Sequence, residues 1–296
     1  MRLVLHIGLH KTASTAFQTL CRDNAGRLSH FGIHWRVHDA YPAHHETAWA
    51  LLRGEVDALG DYLSEASAAG ARTALLSSEE LDYVLLVPQM AKALEAAARE
   101  AGVQDVTWIA ALRRPSEVFR SVISELTKHG IHVDPLQGYL EIRRSGGLHF
   151  TGRLNGGHQF WNWFKTFDYA RYLGRLREEV SGRVIAYDYH AKDRVPGAPI
   201  LRAATPDADR LIDEMQSPGI VNRRLSEEEI AANLEFILRG HGHDMAEISA
   251  LLAVRQAGER ASAETGADRI IDAALDARFG DYDALLGDGT PDGEGA

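Results

Sequence analysis

Cysteine is almost missing from this chain. Cys21 is the only one in 296 residues, which excludes an internal disulfide framework and gives no reason to place the protein outside the cell. Long apolar runs are missing too. No segment approaches the roughly 20 residues of a membrane-spanning helix. The apolar run near the start covers only Leu3 to Ile7, shorter than the about 7–15 residues of a secretory signal core, so a cytoplasmic protein is expected. Positive charge is in deficit, with 32 Lys and Arg against 42 Asp and Glu and a net charge of −10. That disfavours a grip on nucleic acid through a broad basic surface but leaves room for a local basic pocket.

What is present is a globular composition, 45% apolar and 25% charged, which sets disorder, collagen and coiled coil aside. Apolar runs alternate with helical patterns. Leu3–Ile7 reads as a first strand, followed by a turn and a helix from about Ser14 with Phe17, Leu20, Cys21 and Leu28 on one face. Cys21 on that face reads as a small core residue. A helix is predicted over 46–68 and a second strand over Thr73–Leu76. Another helix covers 88–101, a third strand Val106–Leu112, and a helix runs from Pro115 to about His129. Glycines 146, 147, 152, 156 and 157 suggest a long loop, and the aromatic residues from Phe160 to Leu176 a helix that packs on a sheet. A fourth strand follows at Val184–Tyr187. Ser226 and Glu229 form a capping box for a helix to about Leu238, and another helical stretch spans roughly 244–278. Strands alternating with helices predict an α/β fold, a central parallel sheet flanked by helices on both faces. With no repeat and no clear linker, one domain over 1–285 is expected. An acidic, glycine-rich tail without order, 286–296, follows it.

The turn after the first strand, Gly8-Leu9-His10-Lys11-Thr12, has the layout of a phosphate site and makes the fold P-loop-like. Backbone N–H groups converge where a strand feeds a helix, and the helix dipole adds partial positive charge at that point. Lys11 supplies a full charge, and Thr12, Ser14 and Thr15 supply hydroxyls. The spacing is not the G-x-x-x-x-G-K-[ST] of nucleotide triphosphatases, because His10 precedes Lys11 and Gly8 lies three residues before it.

The string Leu5 to Thr15 resembles the 5′-phosphosulfate loop of sulfotransferases that use 3′-phosphoadenosine 5′-phosphosulfate (PAPS). Ala13 stands where that family has a glycine two residues after the lysine. Arg113, Pro115 and Ser121 match the family's second motif, an R-x-P at a strand end with a serine eight residues after the arginine. The resemblance implies that Lys11, Thr12, Ala13, Ser14 and Thr15 hold the 5′-phosphate, and that Arg113 and Ser121 hold the 3′-phosphate. The segment Pro218 to Ser226 resembles a late loop of bacterial members, so Arg223 or Arg224 is expected to close over the nucleotide. The physics of the second motif agrees, since a guanidinium fork at a strand's carboxyl end suits a dianion.

Transfer of a sulfuryl group to a hydroxyl requires a proton acceptor. Ser77-Ser78-Glu79-Glu80 follows the second strand and so faces the edge that carries Lys11. Related carbohydrate sulfotransferases use a glutamate there, and Glu79 is favoured over Glu80 as the first carboxylate after the strand. His10, His44 and His45 are the histidine alternatives. The chemistry needs Lys11 on the leaving group and no metal, and neither His44-His45 nor His241 to Asp244 makes a recognised ligand set. The expected reaction therefore joins PAPS to a hydroxyl of a sugar, lipid or small metabolite and releases 3′-phosphoadenosine 5′-phosphate. A P-loop kinase or NTPase, and a catalytically silent nucleotide-binding module of the same fold, are the competing readings.

Overall fold

The structure, a computed structural model, describes residues 1–128, 131, 133–153, 160–216, 226–240 and 242–288. β1 (Arg2–His6) leads through a loop into α1 (Ser14–Asp23), α2 (Ala25–His30) and the two-residue β2 (Ile33–His34). α3 (His45–Leu52) and α4 (Asp57–Ala68) precede β3 (Thr73–Ser77), a 3-10 turn (Glu79–Leu85), α5 (Pro88–Glu100) and β4 (Asp105–Leu112). Next come α6 (Pro115–Lys128), α7 (Pro135–Ser145), β5 (Gly147–Arg153), β6 (Phe160–Thr166), α8 (Tyr169–Glu179) and β7 (Arg183–Asp188). They are followed by α9 (Ala198–Ala204), α10 (Ala208–Glu214), α11 (Glu227–Gly240), α12 (Met245–Thr265), α13 (Ala267–Phe279), a second 3-10 turn (Asp283–Leu285) and β8 (Gly287–Asp288). No helix among the described residues is long and apolar enough to cross a membrane.

The chain forms two compact units where the sequence reads as one domain. The first is Met1–Arg113, Tyr169–Asn222 and Tyr282–Ala296; the second is Arg114–Asp168 and Arg223–Asp281. The first passage into the second unit falls between Arg113 and Arg114, just past β4, where the sequence holds no mark of a division.

The first unit is α/β. Its sheet has the order β2-β3-β1-β4-β7-β8, with the first five strands parallel and β8 antiparallel to β7. β3 is buried along its whole length, and β1 and β4 everywhere but their first residue. Such two-sided burial is why these strands read as unbroken apolar runs rather than alternating ones. On one side Val4, Leu75 and Ile109 pack with Phe17, Leu20 and Cys21 of α1 and with Ile200, Leu201 and Leu211 of α9 and α10. β1 lies between β3 and β4, so the chain order reverses across it. The crevice at the carboxyl ends of strands flanking such a reversal is where open α/β sheets bind ligands.

Several predicted elements differ, and the helix expected from Ser14 to beyond Leu28 is two, α1 and α2, broken at Asn24. The helix expected over 46–68 is two helices, broken at Gly54, whose φ of +85° lies outside helical geometry. The stretch 244–278 is likewise split at Gly266, φ +69°. The expected glycine loop and aromatic helix are instead an antiparallel hairpin, β5 with β6, in which Phe150 faces Trp163 and His149 faces Phe164, and helix begins only at Tyr169. Of the predicted tail, Gly287 and Asp288 pair with Ala186 and Ile185, and 289–296 lie outside the described residues.

In the second unit Val118, Phe119, Val122 and Leu126 of α6 pack with Ile142, Leu148, Phe167 and Leu275. Asp276 of α13 accepts hydrogen bonds from the Ser116 N–H (3.0 Å) and hydroxyl (2.8 Å), which satisfies donors at the start of α6. The Ser226–Glu229 capping box forms as predicted, with bonds of 2.8 and 3.2 Å.

One buried charge ties α5 to the sheet. Glu95 is 1% exposed and accepts from Trp108 Nε1 (2.9 Å), the Ser181 N–H (3.0 Å) and hydroxyl (2.8 Å), and the Gly182 N–H (2.9 Å). Burial alone pushes the Glu95 carboxyl up, but these donors outweigh it and hold the group below its ordinary value. Glu95→Ala strands these four donors and removes a partner of Arg99, whose Nη2 lies 3.2 Å from Oε2. It is expected to lower unfolding free energy by about 3 kcal/mol in urea denaturation, and a loss within experimental error would contradict this role.

Candidate functional site

The loop from β1 to α1 has unusual backbone. Gly8 has φ +73°, and Leu9, Lys11 and Ala13 have φ of 55°, 70° and 60°; no other non-glycine residue among the described residues has positive φ. His10 and Thr12, between them, do not share it. Left-handed backbone costs an L-residue about 1–2 kcal/mol, so three such residues persist only where the surroundings enforce them. Alternating handedness also turns successive N–H groups towards one side, the geometry of an anion-binding nest.

The enforcing contacts come from three strand ends. The Thr12 hydroxyl donates to the Leu9 carbonyl at 2.5 Å and closes the loop on itself. The Ala111 N–H of β4 donates to the Gly8 carbonyl at 3.4 Å. Arg113, just past β4, donates from Nη1 to the Lys11 carbonyl at 2.9 Å, while its guanidinium lies 4.6 Å over the ring of Tyr189, just past β7. From the β3 side, Glu79 packs so closely on Gly8 that an added Cβ would lie 2.9 Å from the Glu79 Cα.

The loop then opens α1 without a side-chain cap, because Ala13 occupies the N-cap position. Ser14, 4% exposed, has a buried hydroxyl with no hydrogen-bond partner. The strand-end turn thus combines an uncapped helix dipole, an orphan hydroxyl and the half-buried Lys11. The Thr12 hydroxyl, expected to face a ligand, is used inside the loop, so Thr12 offers a ligand only its N–H. Thr15, half-buried, is the second helical residue.

The Ser77–Glu80 segment is held by three histidines and a glutamine. Gln18 of α1 donates from Nε2 to Ser77 Oγ (3.2 Å) and to Glu79 Oε2 (2.8 Å). Ser77 Oγ, accepting from Gln18, is also hydrogen-bonded to His6 Nδ1 at 2.7 Å. His44 accepts the Ser77 N–H on Nδ1 (3.0 Å) and donates from Nε2 to the Arg36 carbonyl (3.1 Å). Both of its ring nitrogens are engaged and the residue is buried. His45 Nδ1 meets Ser78 Oγ at 2.9 Å, and its ring stacks on Trp49 at 5.7 Å with Tyr41 edge-on. Ser78 Oγ also accepts the Glu80 N–H at 3.2 Å and starts the 3-10 turn. On that turn the buried Asp82 stands 3.5 Å from His10 Nε2. Glu79 and Glu80 are both half-buried, and of the two Glu79 is the one that touches the loop.

The structure therefore brings Lys11, Arg113 and Glu79 to one end of the first unit. Ser121 belongs to the second unit, half-buried on α6. Arg223 and Arg224 lie outside the described residues. Among the described residues no group of three or more His, Cys, Asp and Glu side chains is placed to hold a metal ion. Burial pushes the Cys21 thiol up, as suits a core residue. Sequence reasoning missed Gln18, Asp82 and Tyr189. Gln18 had a signal, a polar side chain within the buried face of α1.

Two stability predictions follow from this local geometry. Ala13→Gly removes left-handed strain and is expected to raise unfolding free energy by about 0.5–1 kcal/mol, whereas Gly8→Ala, which drives a methyl into Glu79, lowers it by at least that much. The reverse order in thermal melts would contradict the description of the loop. Burial also pushes His6 and His44 down to about 3, so both stay neutral when folded. Unfolding lets them take protons below pH 6.5, so their contribution is lost as pH falls from 6.5 towards 3. The slope reaches about 2.7 kcal/mol per pH unit for the two together. His44→Gln should halve that part of the slope in denaturation curves taken between pH 6 and 4, and an unchanged slope would show that His44 titrates freely.

No protein-family model matches the chain, and neither does any curated protein or solved structure.

Proposed function

We propose that this chain is a sulfotransferase that moves the sulfuryl group of PAPS to a hydroxyl of a sugar, lipid or small metabolite, on a P-loop-like α/β unit. The observation that carries the reading is the β1–α1 loop, where left-handed residues alternate up to an uncapped helix and Arg113 donates to the Lys11 carbonyl. Such a loop presents backbone N–H groups to a phosphate. Its lysine and the guanidinium beside it suit a nucleotide with charge at both ends. The buried, partnerless Ser14 hydroxyl is a donor that a phosphate oxygen would satisfy.

The chemistry assigned to these residues balances. The acceptor oxygen attacks sulfur in line, the bond from sulfur to the 5′-phosphate oxygen breaks, and the acceptor's proton passes to Glu79. The products are a sulfate ester and 3′-phosphoadenosine 5′-phosphate. Lys11 neutralises charge gathering on the departing phosphate, the largest demand such a transfer makes of its protein. Gln18 occupies one oxygen of Glu79, which fixes the carboxylate and leaves the other oxygen to take the proton. Tyr41 and Trp49, 42% and 37% exposed, flank His45, which is bonded to Ser78, and offer flat apolar faces for an acceptor ring.

The test is sulfuryl transfer from radiolabelled PAPS to an acceptor library. Lys11→Ala and Arg113→Ala are each expected to abolish transfer with the circular-dichroism spectrum unchanged, and Glu79→Gln to cut the rate at least about 100-fold while nucleotide affinity is kept. Turnover is expected to persist in EDTA. Transfer retained in either cation variant would contradict the assignment, and a strict need for Mg²⁺ with ATP as donor would favour a kinase.

A further inference from the structure

A buried carboxylate that the proposed reaction does not use lies next to the phosphate loop. Asp82 is 5% exposed and sits three residues after Glu79 on the 3-10 turn. Side chains at i and i+3 of a 3-10 helix eclipse one another, so Glu79 and Asp82 share a side. Both meet the β1–α1 loop, Glu79 at Gly8 and Asp82 at His10. The His10 side chain is 19% exposed, and its backbone neighbour is Lys11. A carboxylate removed from water is costly unless a positive group stands beside it.

We propose that His10, held by Asp82, is a second cation of the phosphate loop, and that nucleotide binding draws a proton onto its imidazole. The inference rests on the nucleotide reading of the loop. Asp82, 3.5 Å from His10 Nε2, favours the imidazolium, as does Glu79 on the same side of the 3-10 turn. Lys11, next in the loop, and Arg113, bonded to the Lys11 carbonyl, oppose it. His6 and His44 stay neutral through burial, and His45 is bonded to Ser78. Arrival of a phosphate dianion against Lys11 adds negative charge beside His10 and shifts the ring towards its charged form. By linkage, the proton then strengthens nucleotide binding by the factor with which the nucleotide strengthens proton binding.

The experiment is calorimetric titration of the full chain with adenosine 3′,5′-bisphosphate between pH 7 and 8.5, each pH in two buffers of different ionisation enthalpy. The ligand's own phosphates titrate near pH 6 and contribute little in that range. The wild type is expected to take up a fraction of a proton on binding and to lose affinity with rising pH, at most about tenfold per unit for one linked proton. His10→Gln and Asp82→Asn are each expected to flatten the pH dependence. His10→Lys, a fixed cation, should bind at pH 8.5 at least as tightly as the wild type does, with no proton uptake. Nucleotide binding that is independent of pH in the wild type, or a slope preserved in His10→Gln, overturns the role of His10 while leaving the nucleotide reading intact. Absence of saturable heat in the wild type overturns the nucleotide reading itself, and this inference with it.

Discussion

The hydrogen bond from Arg113 to the Lys11 carbonyl joins the end of β4 to the loop that leaves β1. Without outside support that loop would relax, because Leu9, Lys11 and Ala13 all hold backbone angles that L-residues avoid. Arg113 takes up one carbonyl, Ala111 another, Thr12 a third, and Glu79 fills the space beside Gly8. Each brace comes from a residue at or near the carboxyl end of a parallel strand, or from the loop itself. The strain is stored by the sheet, and what it preserves is a concave row of N–H groups at the start of α1.

A second layer of support consists of histidine and glutamine side chains. His6 and His44 bind the Ser77 hydroxyl and N–H, His45 binds the Ser78 hydroxyl, and Gln18 reaches across from α1 to Glu79. Burial keeps His6 and His44 uncharged, so they brace the turn without adding charge to the loop beside it. A site of this kind separates its scaffold from its chemistry through burial.

The parallel strands were legible because burial on both faces writes an unbroken apolar run, as in Leu3–Leu5 and Leu75–Leu76. The hairpin was not, because Trp163, Phe164 and Phe167 satisfy a helical spacing as well as a strand pair, and only pairing with the glycine-containing β5 decides between them. Gly54 and Gly266 end helices inside stretches rich in helix formers, where a lone glycine is a weak signal. The division into two units leaves no trace, since Arg113 and Arg114 are adjacent yet belong to different units. At the site, the position of Lys11 and the segment after β3 could be placed from strand order alone. The contacts of Asp82 with His10 and of Gln18 with Glu79 could not, because they join segments about 60 to 70 residues apart through packing that no local pattern encodes.

The account stands on the loop from Gly8 to Thr15 receiving a phosphate. A crystal structure of the chain with adenosine 3′,5′-bisphosphate tests that most directly. The account predicts one phosphate within hydrogen-bond distance of the N–H groups of Lys11 to Thr15, with the Lys11 ammonium and the Ser14 hydroxyl turned onto it. A nucleotide bound elsewhere on the sheet, or a loop left bare at saturating ligand, would contradict it.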